Sequence, residues 1–169
     1  MLNRIVKWLV LSALIVVALS IAAPLIVRAD PVPPDLVQAL VDQTGGQVQI
    51  EYHRQTGQVR FIGTDPARPI PHAADLRAEA APEEAARSFL GAYGSLFGLK
   101  DQAQELIVKR SQAADRDRSF VRFQQVYQGI PVVAGELIVQ LDGAKNVVSA
   151  SGEVLPDLSI DVAPALGAE

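Results

Sequence analysis

The sequence predicts an α+β fold: an N-terminal signal helix, a small helix-plus-hairpin unit, then one helix packed on an antiparallel β-meander. Three observations carry this expectation. Arg4 and Lys7 precede an uncharged apolar run from Trp8 to Val27. After Pro82, the residues Phe89, Leu90, Tyr93, Leu96 and Phe97 recur at the spacing of one helix face. Beyond Asp101 the apolar period changes from helical to alternating, and stays so to Ala150.

The first element is an export signal over residues 1–29. A basic start, an apolar stretch and small residues at a cleavage point make a secretory leader. Val27-Arg28-Ala29 places small side chains at the −3 and −1 positions, which predicts cleavage between Ala29 and Asp30. The competing reading is an uncleaved anchor through residues 8–27, because about 20 apolar residues span a bilayer. Pro24 and the small-residue site favour cleavage. Either way the remainder leaves the cytoplasm, secreted if cut and membrane-anchored if not.

Asp30 to Pro34 is a proline-rich linker that should run extended. The helix-and-hairpin unit is expected over residues 35–75. Asp35 is a candidate cap for a helix through Gln43, with Leu36, Val37, Leu40 and Val41 on one face. Gly45-Gly46 ends it. Val48, Ile50 and Tyr52 alternate with polar residues, Thr56-Gly57 marks a turn, and Val59, Phe61 and Gly63 continue the alternation, so a hairpin is expected. Asp65 to Pro71 holds three prolines and reads as a loop.

The main unit is expected over residues 76–155. Pro82 suits a first helical turn, and Glu83 and Glu84 complement the helix dipole there. Gly98 ends the helix. Leu106 and Val108 suggest a strand; Val121, Phe123, Gln125 and Tyr127 share a face of the next; Leu137, Val139 and Leu141 line a third; Val147 to Ala150 begin a fourth. Residues 114–117 and 142–146 are polar turns. Residues 156–169 read as an extended tail leading to a downstream module.

Composition narrows the chemistry. Cysteine is absent, which excludes disulfides, thiolate metal sites and a cysteine nucleophile. The two histidines, His53 and His72, have no ligand-like spacing, so no metal or other cofactor is expected. Setting aside Arg4, Lys7 and Arg28 leaves 12 basic against 19 acidic residues, a net charge of −7. Such a balance disfavours nucleic acid and anionic membrane surfaces. No G-x-S-x-G, H-E-x-x-H or phosphate-cradling loop occurs. Gly91 and Gly94 lie inside the apolar stripe and read as packing positions. Asp115 and Asp117 are flanked by Arg116 and Arg118, which oppose a cation, and Glu83-Glu84 reads as a helix start rather than an acid/base pair. The chain is therefore read as a non-enzyme.

One stretch goes beyond a bland hairpin. Phe123, Gln125 and Tyr127 run into a corner at Gly129, Ile130, Pro131 and Val132. Leu137 to Leu141 follow, then Asp142-Gly143, then a closing strand ending at Ser151-Gly152. This combination resembles the fungalysin/thermolysin propeptide (FTP) domain, whose pattern is aromatic-x-Gln-x-Tyr-x-Gly-hydrophobic-Pro-Val, a strand, an Asp-x-x-Gly-like turn and a strand closing on Gly. The lead-in of Phe89-Leu90 and Leu96-Phe97-Gly98-Leu99 fits as well, so the resemblance covers about residues 80–166.

The resemblance implies a role. Such a domain is the N-terminal part of a cleavable prosegment that assists folding of a thermolysin-like zinc metalloprotease catalytic domain and inhibits it until removed. The implied partner is that catalytic domain, in cis or in trans. No inhibitory contact residue carries over, since those are expected beyond Glu169, where a second propeptide module and the catalytic domain would follow. The chain is accordingly a fragment of a precursor, a truncated product or a free-standing domain. The alternatives are a stand-alone exported inhibitor or chaperone acting in trans, and a membrane-tethered interaction module. Two structural expectations follow: Gly129 has a positive φ, and Gln125, on a buried strand face, has a polar partner or faces solvent.

Overall fold

The computed structural model describes residues 30–77 and 79–163; the expected signal helix and Ala29 lie outside the described residues. Helix α1 spans Pro34–Gln43. Asp35 does not cap it. Pro34 occupies the first helical position, where a missing N–H costs nothing, so the helix starts ahead of Asp35 and carries that carboxylate in its first turn. At the other end the Thr44 hydroxyl donates to the Leu40 carbonyl at 2.7 Å.

Strands β1 (Val48–Tyr52) and β2 (Val59–Thr64) form the expected hairpin, with one change of face. The register slips between Glu51 and Tyr52, which leaves Arg60 without an opposite partner. An extra residue inverts the alternation beyond it. Val59 and Ile62 are therefore the buried pair, while Phe61 turns to the other face.

Helix α2 spans Pro82–Tyr93 and passes into a 3-10 turn, Gly94–Phe97, before Gly98 stops it at φ +89°. The expected stripe is intact: Phe89, Leu90, Tyr93, Leu96 and Phe97 are all buried. A short helix α3 (Gln102–Glu105) follows, and its start is capped reciprocally. Asp101 accepts from the Ala103 N–H at 2.8 Å, and Glu105 reaches back to the Lys100 and Asp101 N–H groups at 2.7 Å.

Strands β3 (Leu106–Ala113), β4 (Ser119–Tyr127), β5 (Ile130–Leu141) and β6 (Val147–Glu153) make the meander. The hairpin joins it through β2 and β6, giving one antiparallel six-stranded sheet in the order β1-β2-β6-β5-β4-β3. Helix α2 and the 3-10 turn cover one face. There Phe89, Leu90, Leu96 and Phe97 meet Ile62, Val121, Phe123, Leu137, Val139 and Leu141 in one continuous core. Each such side chain contributes roughly 1.5–3 kcal/mol when fully buried. The fold is thus α+β, a few helices with a six-stranded antiparallel sheet.

The corner expected at Gly129-Ile130-Pro131 takes a different form. Gln128 and Gly129 alone make a two-residue turn, both at positive φ (50° and 81°), between the paired residues Tyr127 and Ile130. Pro131 and Val132 belong to β5. Pro131 is tolerated because it sits next to the turn, opposite Val126, just before the ladder is interrupted.

Candidate functional site

The sheet bears two features on which the singled-out residues converge. The first is an interrupted ladder between β4 and β5. Gln124 pairs with Glu136 and Val126 with Pro131, so residues 132–135 bulge out opposite Gln125 alone. The Gln124 side chain closes this bulge from beneath, its Nε2 donating to the Val132 carbonyl at 2.7 Å and the Gly135 carbonyl at 2.9 Å. Ala134 is held at φ +63°. At the tip Val133 is 91% exposed, and Ile130 nearby is 50% exposed.

The second feature is a clamp on the segment that leaves β6. Gln125 is 1% exposed, and its side-chain amide pairs with the Leu155 backbone: Nε2 donates to the carbonyl at 2.8 Å and Oε1 accepts the N–H at 3.0 Å. Two residues on, Asp157 meets the Lys100 ammonium at 2.6 Å. That hydrogen bond and charge raise the Lys100 pKa above its ordinary value. Pro156, between them, is buried over Gly98. The segment 155–157 is thereby fastened at three successive residues.

The remaining motif residues build the scaffold. Phe123 is buried on β4 with the Arg87 guanidinium 5.3 Å from its ring centre, a cation–π geometry. Tyr127 is half-buried at the end of β4. Gly152 on β6 faces Leu137, and no side chain fits there: a Cβ would collide with the Glu136 carbonyl oxygen and lie 2.8 Å from the Leu137 Cα. Asp142 and Gly143 lie at the far end of β5, away from the bulge. Asp142 accepts from the Asn146 N–H at 2.8 Å and from its side chain at 3.0 Å, closing the β5–β6 turn.

Among the described residues, no helix covers the sheet face away from α2. Arg110, Arg122, Ile138, Phe120, Gln140 and Ser149 line a shallow depression on it. Glu136 lies at its margin, bonded to Lys109 at 2.5 Å and Arg122 at 2.6 Å. Those two hydrogen bonds, the Lys109 one foremost, lower the Glu136 pKa. His53 accepts from the Thr56 N–H and lies 3.5 Å from Glu153, while His72 is exposed in the proline loop. Among the described residues no group of three or more His, Cys, Asp or Glu is placed to hold a metal ion. No helix among them is long and apolar enough to cross a membrane.

Sequence reasoning identified Gln125 but missed its partner, and gave no individual role to Gln124, Lys100 or Asp157. A glutamine beside a buried-face glutamine was the one available signal for the bulge. Asp30 is the first described residue, and its carbonyl accepts from the Gln58 side chain at 2.6 Å.

Residues 104–154 match the family described as the Fungalysin/Thermolysin Propeptide Motif, a span that runs from α3 through β6. The chain is also similar to "Bacillolysin" of Brevibacillus brevis, 27% identical over an alignment of 116 residues that covers 66% of this chain. The aligned part is 20% of that relative, so the chain spans only a minor part of the relative's length. No solved structure gives a significant match. The interrupted hairpin and the glycine-closed last strand lie within the matched residues and the clamped segment follows them directly; over this span the chain is similar to the propeptide motif of thermolysin-like peptidases.

Proposed function

We propose that this chain is the exported propeptide module of a thermolysin-like zinc metalloprotease precursor, where it assists folding of the catalytic domain and holds it inactive until released. The match of residues 104–154 to the propeptide motif carries this reading. The use of the motif residues supports it: Phe123, Gln125 and Gly152 build a rigid sheet and fix the direction of the outgoing chain. A module continuing beyond residue 157 leaves the sheet along one course. Covalent attachment then presents the sheet to the catalytic domain at an effective concentration on the order of millimolar, so moderate contacts suffice. Binding the native catalytic domain and not its unfolded chain also stabilises it. The signal over residues 1–29 takes the module out of the cytoplasm.

The test is refolding of a denatured thermolysin-like catalytic domain with and without this chain. A higher yield of folded protease, with its activity suppressed until the added chain is digested, is the expected result. If neither yield nor activity changes with the chain at about 1 mM, the concentration that attachment would provide, the reading fails. Inhibition by the separate chain at nanomolar concentration would instead mark an inhibitor acting in trans.

A further inference from the structure

Among the described residues, Gln125 and Gln58 are buried glutamines that hold backbone outside the regular elements, and one of them is only half satisfied. Gln125 grips both the N–H and the C=O of Leu155. An extended residue presents these two groups on the same side, so one side-chain amide serves both. Gln58 grips Asp30 through the carbonyl alone. Its Oε1 has no hydrogen-bond partner, although the residue is 3% exposed. The amide cannot be turned round, since that would set oxygen against the Asp30 carbonyl. A buried acceptor left unpaired costs about 1–3 kcal/mol, so the site calls for a donor.

The surroundings say which donor. Gln58 and Asp30 share a cleft with Lys100 and Asp157. The Asp157 carboxylate is bonded to Lys100, and the Asp30 carboxylate acts on the same ammonium. The cleft lining thus holds two carboxylates against one ammonium, on which Glu105 acts as well. A cation with hydrogen-bond donors, placed one residue's breadth from the Asp30 carbonyl, would meet both needs.

We propose that the cleft is a receptor for the chain's own processed N-terminus: the α-ammonium of Asp30, freed by cleavage after Ala29, donates to Gln58 Oε1 and balances Asp30 and Asp157. The inference rests on the cleavage reading of Val27-Arg28-Ala29. An ammonium carries three N–H donors that rotate to suit an acceptor, which a peptide N–H cannot do. Leader removal then completes the clamp, because Pro156 and Asp157 of the outgoing segment line the same cleft. The contacts that already join the incoming and outgoing ends of the module are completed after export.

The experiment uses the full chain, leader included, made in an exporting host. Intact mass first reads the N-terminus of the product; a product that does not begin at Asp30 removes the cleavage reading and the proposal together. With Asp30 at the N-terminus, the α-amine is acetylated selectively and melting is compared in the wild type and in Gln58→Met. Acetylation should lower the melting temperature by about 3–6 °C in the wild type and by much less in Gln58→Met. Equal shifts in both proteins overturn the receptor, and so does no shift in the wild type, the result expected if an ordered water satisfies Oε1. Should Gln58→Met not fold, the acetylation rate of the wild-type α-amine decides: at least about tenfold slower in the native than in the denatured chain supports the site, since a one-unit rise in pKa gives that factor. Equal rates overturn it.

Discussion

The side-chain amide of Gln125 makes with Leu155 the pair of hydrogen bonds that a neighbouring strand would make, at 2.8 and 3.0 Å. A buried side chain thus substitutes for backbone where the sheet has ended, and carries the order of β4 into the segment beyond β6. Gln125→Leu keeps the volume and removes both partners. The Leu155 N–H and C=O then lose their bonds, at a cost of about 2–3 kcal/mol. Chemical denaturation should show that loss, and the Leu155 amide should exchange faster than in the wild type. Unchanged melting would mean that the clamp is not a stabilising contact.

Gly152 tests close approach of two strands. Its missing side chain lets β6 pass against the Glu136 carbonyl and Leu137. Backbone cannot step aside as a side-chain tip can, so Gly152→Ala should cost at least about 3 kcal/mol, the upper part of the overpacking range. Soluble, cooperatively folding Gly152→Ala protein with wild-type melting would contradict the packing of β5 on β6.

Gly129 tests backbone angle instead. Nothing lies within 4 Å of a Cβ built there, so space is not the constraint; φ +81° is. Gly129→Val should cost about 1–3 kcal/mol, and Gly129→Asn less, because asparagine tolerates this region. Equal melting of the two variants would show that the turn does not depend on the angle.

These positions differ in how plainly the sequence announces them. The α2 stripe was legible because Phe89, Leu90, Tyr93, Leu96 and Phe97 share a helical period that survives the change to a 3-10 turn. Gln125 was legible as a polar residue on the apolar face of Val121 and Phe123. Phe61 was not, because one extra residue at Arg60 inverts every later position and leaves no mark in the composition. The bulge was hidden for the same reason: Pro131-Val132 reads as a corner, although the chain has re-entered the ladder there. Lys100 with Asp157 and Gln58 with Asp30 are joined only by the folded chain, across 57 and 28 positions, and local pattern does not reach that far.

The Glu136 cluster gives a pH dependence with a definite sign. Lys109 and then Arg122 hold the folded carboxyl below its ordinary value of 4.5. The stability it adds is fully present above that value and is lost as pH falls through the depressed folded one. Glu136→Gln should therefore melt below the wild type at neutral pH, with the difference shrinking only in acid beneath pH 4.5. High salt should reduce the difference, since the pairs are partly exposed. A difference that is independent of pH would assign the effect to shape rather than charge.

The bulge at residues 132–135 separates stability from contact. Val133 is 91% exposed, so Val133→Asp should change stability by no more than about 0.5 kcal/mol. The same loop holds Ala134 at φ +63° and is pinned by Gln124, so it presents an apolar tip in a shape already fixed before any encounter. Strain of this kind persists where the surroundings enforce it, and it often marks a contact site. Under the proposed function Val133→Asp should weaken inhibition of the catalytic domain about tenfold, equivalent to about 1.4 kcal/mol, while melting stays at the wild-type value. Gln124→Ala should weaken it as well, by loosening the tip rather than removing it, and its effect should vanish in the Val133→Asp background. Unchanged inhibition in Val133→Asp would place the contact elsewhere, with the open face around Phe120 and Ile138 the next to test.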